Sequence, residues 1–193
     1  MDKASIKKAS FIRTELDLYH MLIEEFKTKL ISKIKFISDD KNLIICTSNR
    51  KYEDEYGDGD VTFIFNCAAY DVIRESRSKD KKFSIVAEKP TGRGGYSDLL
   101  IQREGQPFIE IEHENNPQKS KGGNLKHCIK NLSKSNAKYK LLISYYYDKY
   151  PKERLIREIK RLVSKARIKN PTFKLHLMYS NWFSFYNYKT ITL

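Results

Sequence analysis

The stretch Gly92–Asn116, GRGGYSDLLIQREGQPFIEIEHENN, decides how this chain is read. It reads as two β-strands joined by a short turn. The first opens with Asp98 and continues into Leu99, Leu100 and Ile101. The second runs from Phe108 to Glu114. Side chains alternate along a strand, so Ile109, Ile111 and His113 share one face and Glu110, Glu112 and Glu114 the other. Three carboxylates on one face, beside Asp98, repel one another. Water offsets that repulsion on an exposed face. A hard divalent cation offsets it better, because Mg²⁺ takes carboxylate oxygens together with waters.

The rest of the chain gives this acidic stretch a basic setting. Its 193 residues carry 37 Lys and Arg against 24 Asp and Glu, a formal charge of +13. The hydrophobic share of 40% is ordinary and the length suits one domain with a real core. A basic body with a local acidic pocket suits a polyanion held near a metal, and nucleic acid is the commonest such partner. A lysine-rich codon bias gives the same excess without a partner. Cys46, Cys67 and Cys128 form no metal-ligand spacing, and their odd number argues against a disulfide scaffold. They read as buried thiols in a reducing compartment. The opening MDKASIKKAS lacks an apolar signal core, and no apolar run reaches membrane-spanning length, so a soluble cytoplasmic protein is expected.

Taken in order, residues 10 to about 33 predict an amphipathic helix, with Phe11, Leu16, Tyr19, Leu22, Ile23, Phe26 and Leu30 on its apolar side. Glu15, Glu24 and Glu25 read as its solvent-facing charges. Short strands are predicted at Lys35–Ser38 and Leu43–Thr47, then a polar loop from Asn49 to Asp60. Val61–Phe65 suits a strand and Ala68–Ser76 a helix. A basic loop covers Arg77–Lys82, a strand Phe83–Ala87, and a flexible loop Pro90, Gly92, Gly94 and Gly95. After the acidic hairpin, Asn124 is placed to cap a helix to about Ser135, with Leu125, Cys128, Ile129 and Leu132 inward and Lys126 and Lys130 outward. Tyr139–Tyr147 reads as a strand buried on both faces. Pro151 opens a helix with Leu155, Ile159 and Leu162 buried and Arg154, Arg157, Lys160, Arg161 and Lys165 on its basic side. Strands are predicted at Phe173–Met178 and Phe183–Thr192. The order predicts an α/β (mixed α+β) fold, a central mixed sheet flanked by helices.

From about Phe83 to Tyr147 this order, with its acids, resembles the PD-(D/E)XK nuclease superfamily, whose fold is the restriction-endonuclease-like one. Asp98 matches the family's first acid and Glu110 the second. The family pattern has lysine where this chain has Glu112, so Glu110-Ile111-Glu112 resembles the Glu-x-Glu form found in some restriction enzymes. Glu88 fits the place of an additional upstream acid, and Glu15 is a weaker candidate for it. The acids alone form a loose motif; their strand–turn–strand–helix–strand context supplies its specificity.

The resemblance implies a Mg²⁺-dependent DNA endonuclease, most simply a type II restriction-type enzyme acting as a homodimer. In that reading Asp98 and Glu110 hold the metal, Glu88 completes a second metal site, and Glu112 is a ligand or a general base. The plain alternative makes Asp98 a strand-start residue and Glu110 and Glu112 a solvated face. Glu114, near the strand end, is expected to be exposed, and His113 to be packed on the opposite face. Lys89, Arg93, Lys119, Lys121 and Lys126 stand near enough to contact a DNA backbone, where most protein–DNA contacts fall. Tyr145, Tyr146, Tyr147, Tyr186 and Tyr188 suit base stacking or core packing equally well. Competing functions are a structure-directed repair or viral nuclease, a nucleic-acid-binding protein of the same fold without catalysis, and an interaction protein for an acidic partner.

Overall fold

The computed structural model describes residues 14–39, 67–75, 82–90, 96–114, 123–181 and 184–193. The elements, in chain order, are α1 (Glu15–Asp39), α2 (67–75), β1 (Phe83–Pro90), β2 (Tyr96–Arg103), β3 (Gln106–Glu114), α3 (Gly123–Lys134), β4 (Tyr139–Tyr146), α4 (Lys152–Arg167), β5 (His176–Asn181) and β6 (Ser184–Thr192). The strands form one six-stranded sheet in the order β1-β2-β3-β4-β5-β6. β1, β2 and β3 run antiparallel; β3, β4 and β5 run parallel through α3 and α4; β6 returns antiparallel to β5. The expected mixed sheet flanked by helices is therefore present.

Two apolar clusters sandwich the sheet. On one face Leu22, Phe26 and Leu30 of α1 and Val72 and Ile73 of α2 meet Leu99, Ile101, Ile109, Ile111, Leu141, Ile143 and Tyr145. On the other face Leu125, Ile129 and Leu132 of α3 and Leu155, Ile159 and Leu162 of α4 meet Leu142, Leu177 and Tyr179. β4 lies centrally and gives residues to both clusters, which is why its sequence is apolar without alternation.

The β2–β3 hairpin closes on the two residues Glu104 and Gly105, with φ of 53° and 76°. Two consecutive positive φ values are what a tight type I′ connection needs, and glycine adopts them without a Cβ penalty. Arg103 faces Gln106 and Gln102 faces Pro107, but beyond them Ile101 faces Ile109, Leu100 faces Glu110 and Leu99 faces Ile111. Phe108 is the extra residue of a β-bulge. Without it the register would set Asp98 against Ile111; with it, continuing the pairing sets Asp98 against Glu112.

Several expected boundaries change. Lys35–Ser38 is helical, because α1 continues to Asp39. Its β-branched and aromatic residues suggest a strand locally, yet Leu30, Ile34 and Ile37 keep the three- and four-residue helical spacing. Pro90 belongs to β1 rather than to a loop, opposite Tyr96. Among the described residues β1 is an edge strand, the place in a sheet where proline is tolerated. β5 begins at His176, so Phe173 and Leu175 are buried in the connection before it. The helix predicted over Ala68–Ser76 appears as α2. The strands predicted at Leu43–Thr47 and Val61–Phe65, the loop from Asn49 to Asp60, and the glycines Gly92, Gly94 and Gly95 lie outside the described residues.

Two substitutions separate packing from backbone geometry. Leu142→Ala empties a fully buried site and is expected to cost about 2–5 kcal/mol. Gly105→Ala meets no atom within 4 Å, so only the positive φ opposes it, at about 1 kcal/mol. Denaturant unfolding of both variants measures the two costs.

Candidate metal centre

Alternation along β3 sends Ile109 and Ile111 into the α1–α2 cluster and turns Glu110, Glu112 and Glu114 toward α3. The acidic face is not solvated. Glu110, Glu112 and Glu114 retain only 4%, 3% and 4% of their exposure. This corrects the expected exposure of Glu114 and rules out the solvated-face alternative for the other two. The cause is α3, which crosses from β3 to β4 and lies on this side of the sheet.

Asp98, Glu110 and Glu112 each have identified partners. One Asp98 oxygen, Oδ2, accepts the backbone N–H of His113 at 2.6 Å. That bond ties the start of β2 to the end of β3 and fixes Asp98 beside Glu112. The Asn131 amide donates to Glu112 Oε1 at 3.2 Å, and the Cys128 thiol is hydrogen-bonded to the same carboxyl group. Ser135 donates its hydroxyl to Glu110 Oε2 at 2.6 Å while its oxygen accepts the N–H of Ala137 at 3.0 Å. Lys140, the β4 residue in register with Glu110, donates to the Ala137 carbonyl. Glu110 thus anchors the turn between α3 and β4, whereas Glu112 faces Asp98.

Electrostatics mark Glu112 as the stressed member. Burial, then the Asp98 charge, push its pKa up to about 8, against the hydrogen bonds from Asn131 and Cys128, with Glu110 adding to the rise. Burial is also the main cause that raises the Cys128 thiol, with the charges of Glu112, Glu114 and Asp98 adding to it. Burial lowers the pKa of Lys140 and Glu110 opposes that shift. His113 takes the opposite face, as expected. Its Nε2 lies 3.2 Å from the Tyr145 hydroxyl, which lies 3.1 Å from that of Tyr188, and burial pushes the ring down to about 3. Tyr145 and Tyr188 are therefore core residues and are not available to stack on bases.

Among the other candidates, the register sets residue 88 across from residue 98, but the side chains of Glu88 and Lys89 lie outside the described residues. Arg93, Lys119 and Lys121 also lie outside them. Lys126 is exposed on α3. Glu15 is not near the acids. It pairs with Arg103 at 3.4 Å and with Lys138, at the far end of the hairpin. Asn131, Ser135 and Lys140 were not singled out by sequence. Asn131 did leave a signal, because it falls three residues after Cys128 on the edge of the helix's buried stripe.

Among the described residues, no three His, Cys, Asp or Glu side chains are gathered to hold an ion. The Asp98–Glu112 pair still suits Mg²⁺, which commonly takes one or two carboxylates and completes its shell with waters and phosphate oxygens. The donor chemistry fits because hard oxygens dominate and their mutual repulsion is relieved by positive charge. No family model matches this chain, and no curated protein or solved structure matches it either.

The raised pKa of Glu112 has a signed consequence. Between its ordinary 4.5 and about 8, the folded chain holds a proton that the unfolded chain has released. Its contribution is full below about 4.5 and is lost as pH rises through 8. In EDTA, wild-type stability is expected to fall across that window and Glu112→Gln to flatten the fall. Chemical denaturation at a series of pH values measures it.

Proposed function

We propose that this chain is a Mg²⁺-dependent endonuclease that hydrolyses phosphodiester bonds of DNA. The observation that carries the reading is the pairing of half-buried Asp98 with buried Glu112, held opposite each other by the bulged hairpin. The order helix, three antiparallel strands, helix, parallel strand supports the reading, as does the charge of +13.

Asp98 and Glu112 would hold the ion, with Glu110 supporting them from the next position on the same face. The ion would lower the pKa of a water and neutralise charge on the scissile phosphate. The chain's own groups do the rest. His113 N–H orients Asp98, and Asn131 and Cys128 orient Glu112. Glu112 would give up its proton on holding the ion, because the ion's charge offsets the repulsion from Asp98 that otherwise favours the protonated form. A type II restriction-type enzyme would cut both strands as a homodimer and act in the cytoplasm; a structure-directed repair or viral nuclease would use the same site. Because β3 has no lysine on its acidic face, a DNA-binding protein without catalysis is the second reading.

Supercoiled plasmid and linear genomic DNA, each incubated with Mg²⁺ or EDTA, test the proposal. Cutting is expected only with Mg²⁺, with Glu112→Gln and Asp98→Asn slower by about a hundredfold or more, as for loss of a charge-stabilising group. Glu110→Ala is expected to retain more activity than either. DNA that is bound but never cut would support the second reading and overturn the first.

A further inference from the structure

The acidic pair needs a phosphate tract delivered to it, and the most concentrated positive charge among the described residues lies on α4. Its 16 residues carry seven Lys and Arg against Glu153 and Glu158. That is a net five positive charges, more than a third of the chain's +13, on one helix. Leu155, Ile159, Leu162 and Val163 are buried, so the apolar side of α4 is used by the core. Arg154, Arg157, Arg161 and Lys165 are exposed and follow one another at steps of three and four, which aligns them along one ridge. Glu158 holds Arg161 through two hydrogen bonds, at 2.8 and 2.5 Å. A shallow depression beside the ridge is lined by Lys152, Glu153, Ile156, Arg157 and Lys160.

The ridge starts beyond the carboxyl end of β4, the strand whose Leu142 is in register with Glu112. β4 ends at Tyr146, and Tyr147 bridges to Tyr150 through backbone bonds of 3.1 and 2.8 Å. The Arg154 guanidinium then lies 4.9 Å from the centre of the Tyr150 ring. β3 runs parallel to β4 and ends at Glu114, in register with Ser144. Arg154 to Lys165 spans eleven residues, or about 16 Å of helix, the length of about five base pairs along a duplex.

We propose that the outer ridge of α4, from Arg154 to Lys165, binds the phosphate backbone of a nucleic-acid duplex and leads it toward the Asp98–Glu112 pair. The proposal rests on the nucleic-acid part of the functional reading and not on cleavage. A nucleic acid fits better than an anionic membrane, because the helix's apolar side is buried and only Ile168, just past its end, stands exposed.

The test compares two double variants of equal charge change. Arg157→Glu/Lys165→Glu alters the ridge. Arg74→Glu/Lys189→Glu alters exposed cations of α2 and β6. All four positions are exposed, and circular dichroism checks that each protein folds. Binding of a fluorescent duplex is followed by anisotropy across a salt series, with cleavage measured in parallel. The ridge variant is expected to bind about tenfold more weakly or worse at low salt, with the slope of log K against log salt reduced by about 2, one per lost phosphate contact. The control is expected to retain the wild-type slope. Equal losses in both variants, wild-type binding by the ridge variant, or attachment of the wild type to anionic vesicles but not to duplex would each overturn the proposal. Ridge-dependent binding without cutting would uphold it while sinking the nuclease reading. Cutting that survives in the ridge variant with unchanged affinity would do the reverse.

Discussion

Three carboxylates buried on one strand face set the terms for the elements around them. A sheet face covered by a helix ordinarily carries apolar side chains, and isolated buried charge costs several kcal/mol per ion even after relaxation. β3 instead places Glu110, Glu112 and Glu114 under α3. The neighbouring groups answer that cost one by one. Asn131 and Cys128 turn polar hydrogens toward Glu112, Ser135 turns its hydroxyl toward Glu110, and Lys140 brings a cation into register with it. What they leave uncompensated is the repulsion between Asp98 and Glu112, and Glu112 meets it by favouring its protonated form. A proton and a divalent cation are alternative answers to the same repulsion.

The fold also separates the two signs of charge. The three glutamates of β3 lie inside, between sheet and helix. The cations lie outside, along α3 and α4, where Lys126, Lys130 and the α4 ridge face solvent. A pair of one buried and one half-buried acid is screened less by salt than the outer cations, which are screened within roughly 8 Å at physiological ionic strength. Attraction of a polyanion and retention of a small cation can therefore coexist in one small chain without cancelling each other. The two helices that carry the outer charge are held by ordinary packing, with Leu125, Ile129, Leu155 and Ile159 fully or almost fully buried.

Sequence by itself determined the element types of the described core, because each rests on periodicity over several residues. The inward faces of α3 and α4, the alternation along β3 and the doubly buried β4 were all legible in that way. So was the opposition of His113 to the three glutamates. Periodicity was less decisive for Lys35–Ser38, where a short β-favouring run belongs to a long helix, and for Pro90, whose place depends on β1 being an edge. Tertiary structure alone decided that the acidic face is buried, since burial depends on where α3 crosses and not on the strand's own residues. It also decided which acid meets Asp98. The single extra residue at Phe108 shifts the hairpin register by one and brings Glu112 across from Asp98. A bulge has no periodic signature, because it arises from how two strands and their neighbours pack, and that one-residue offset is what composes the pair.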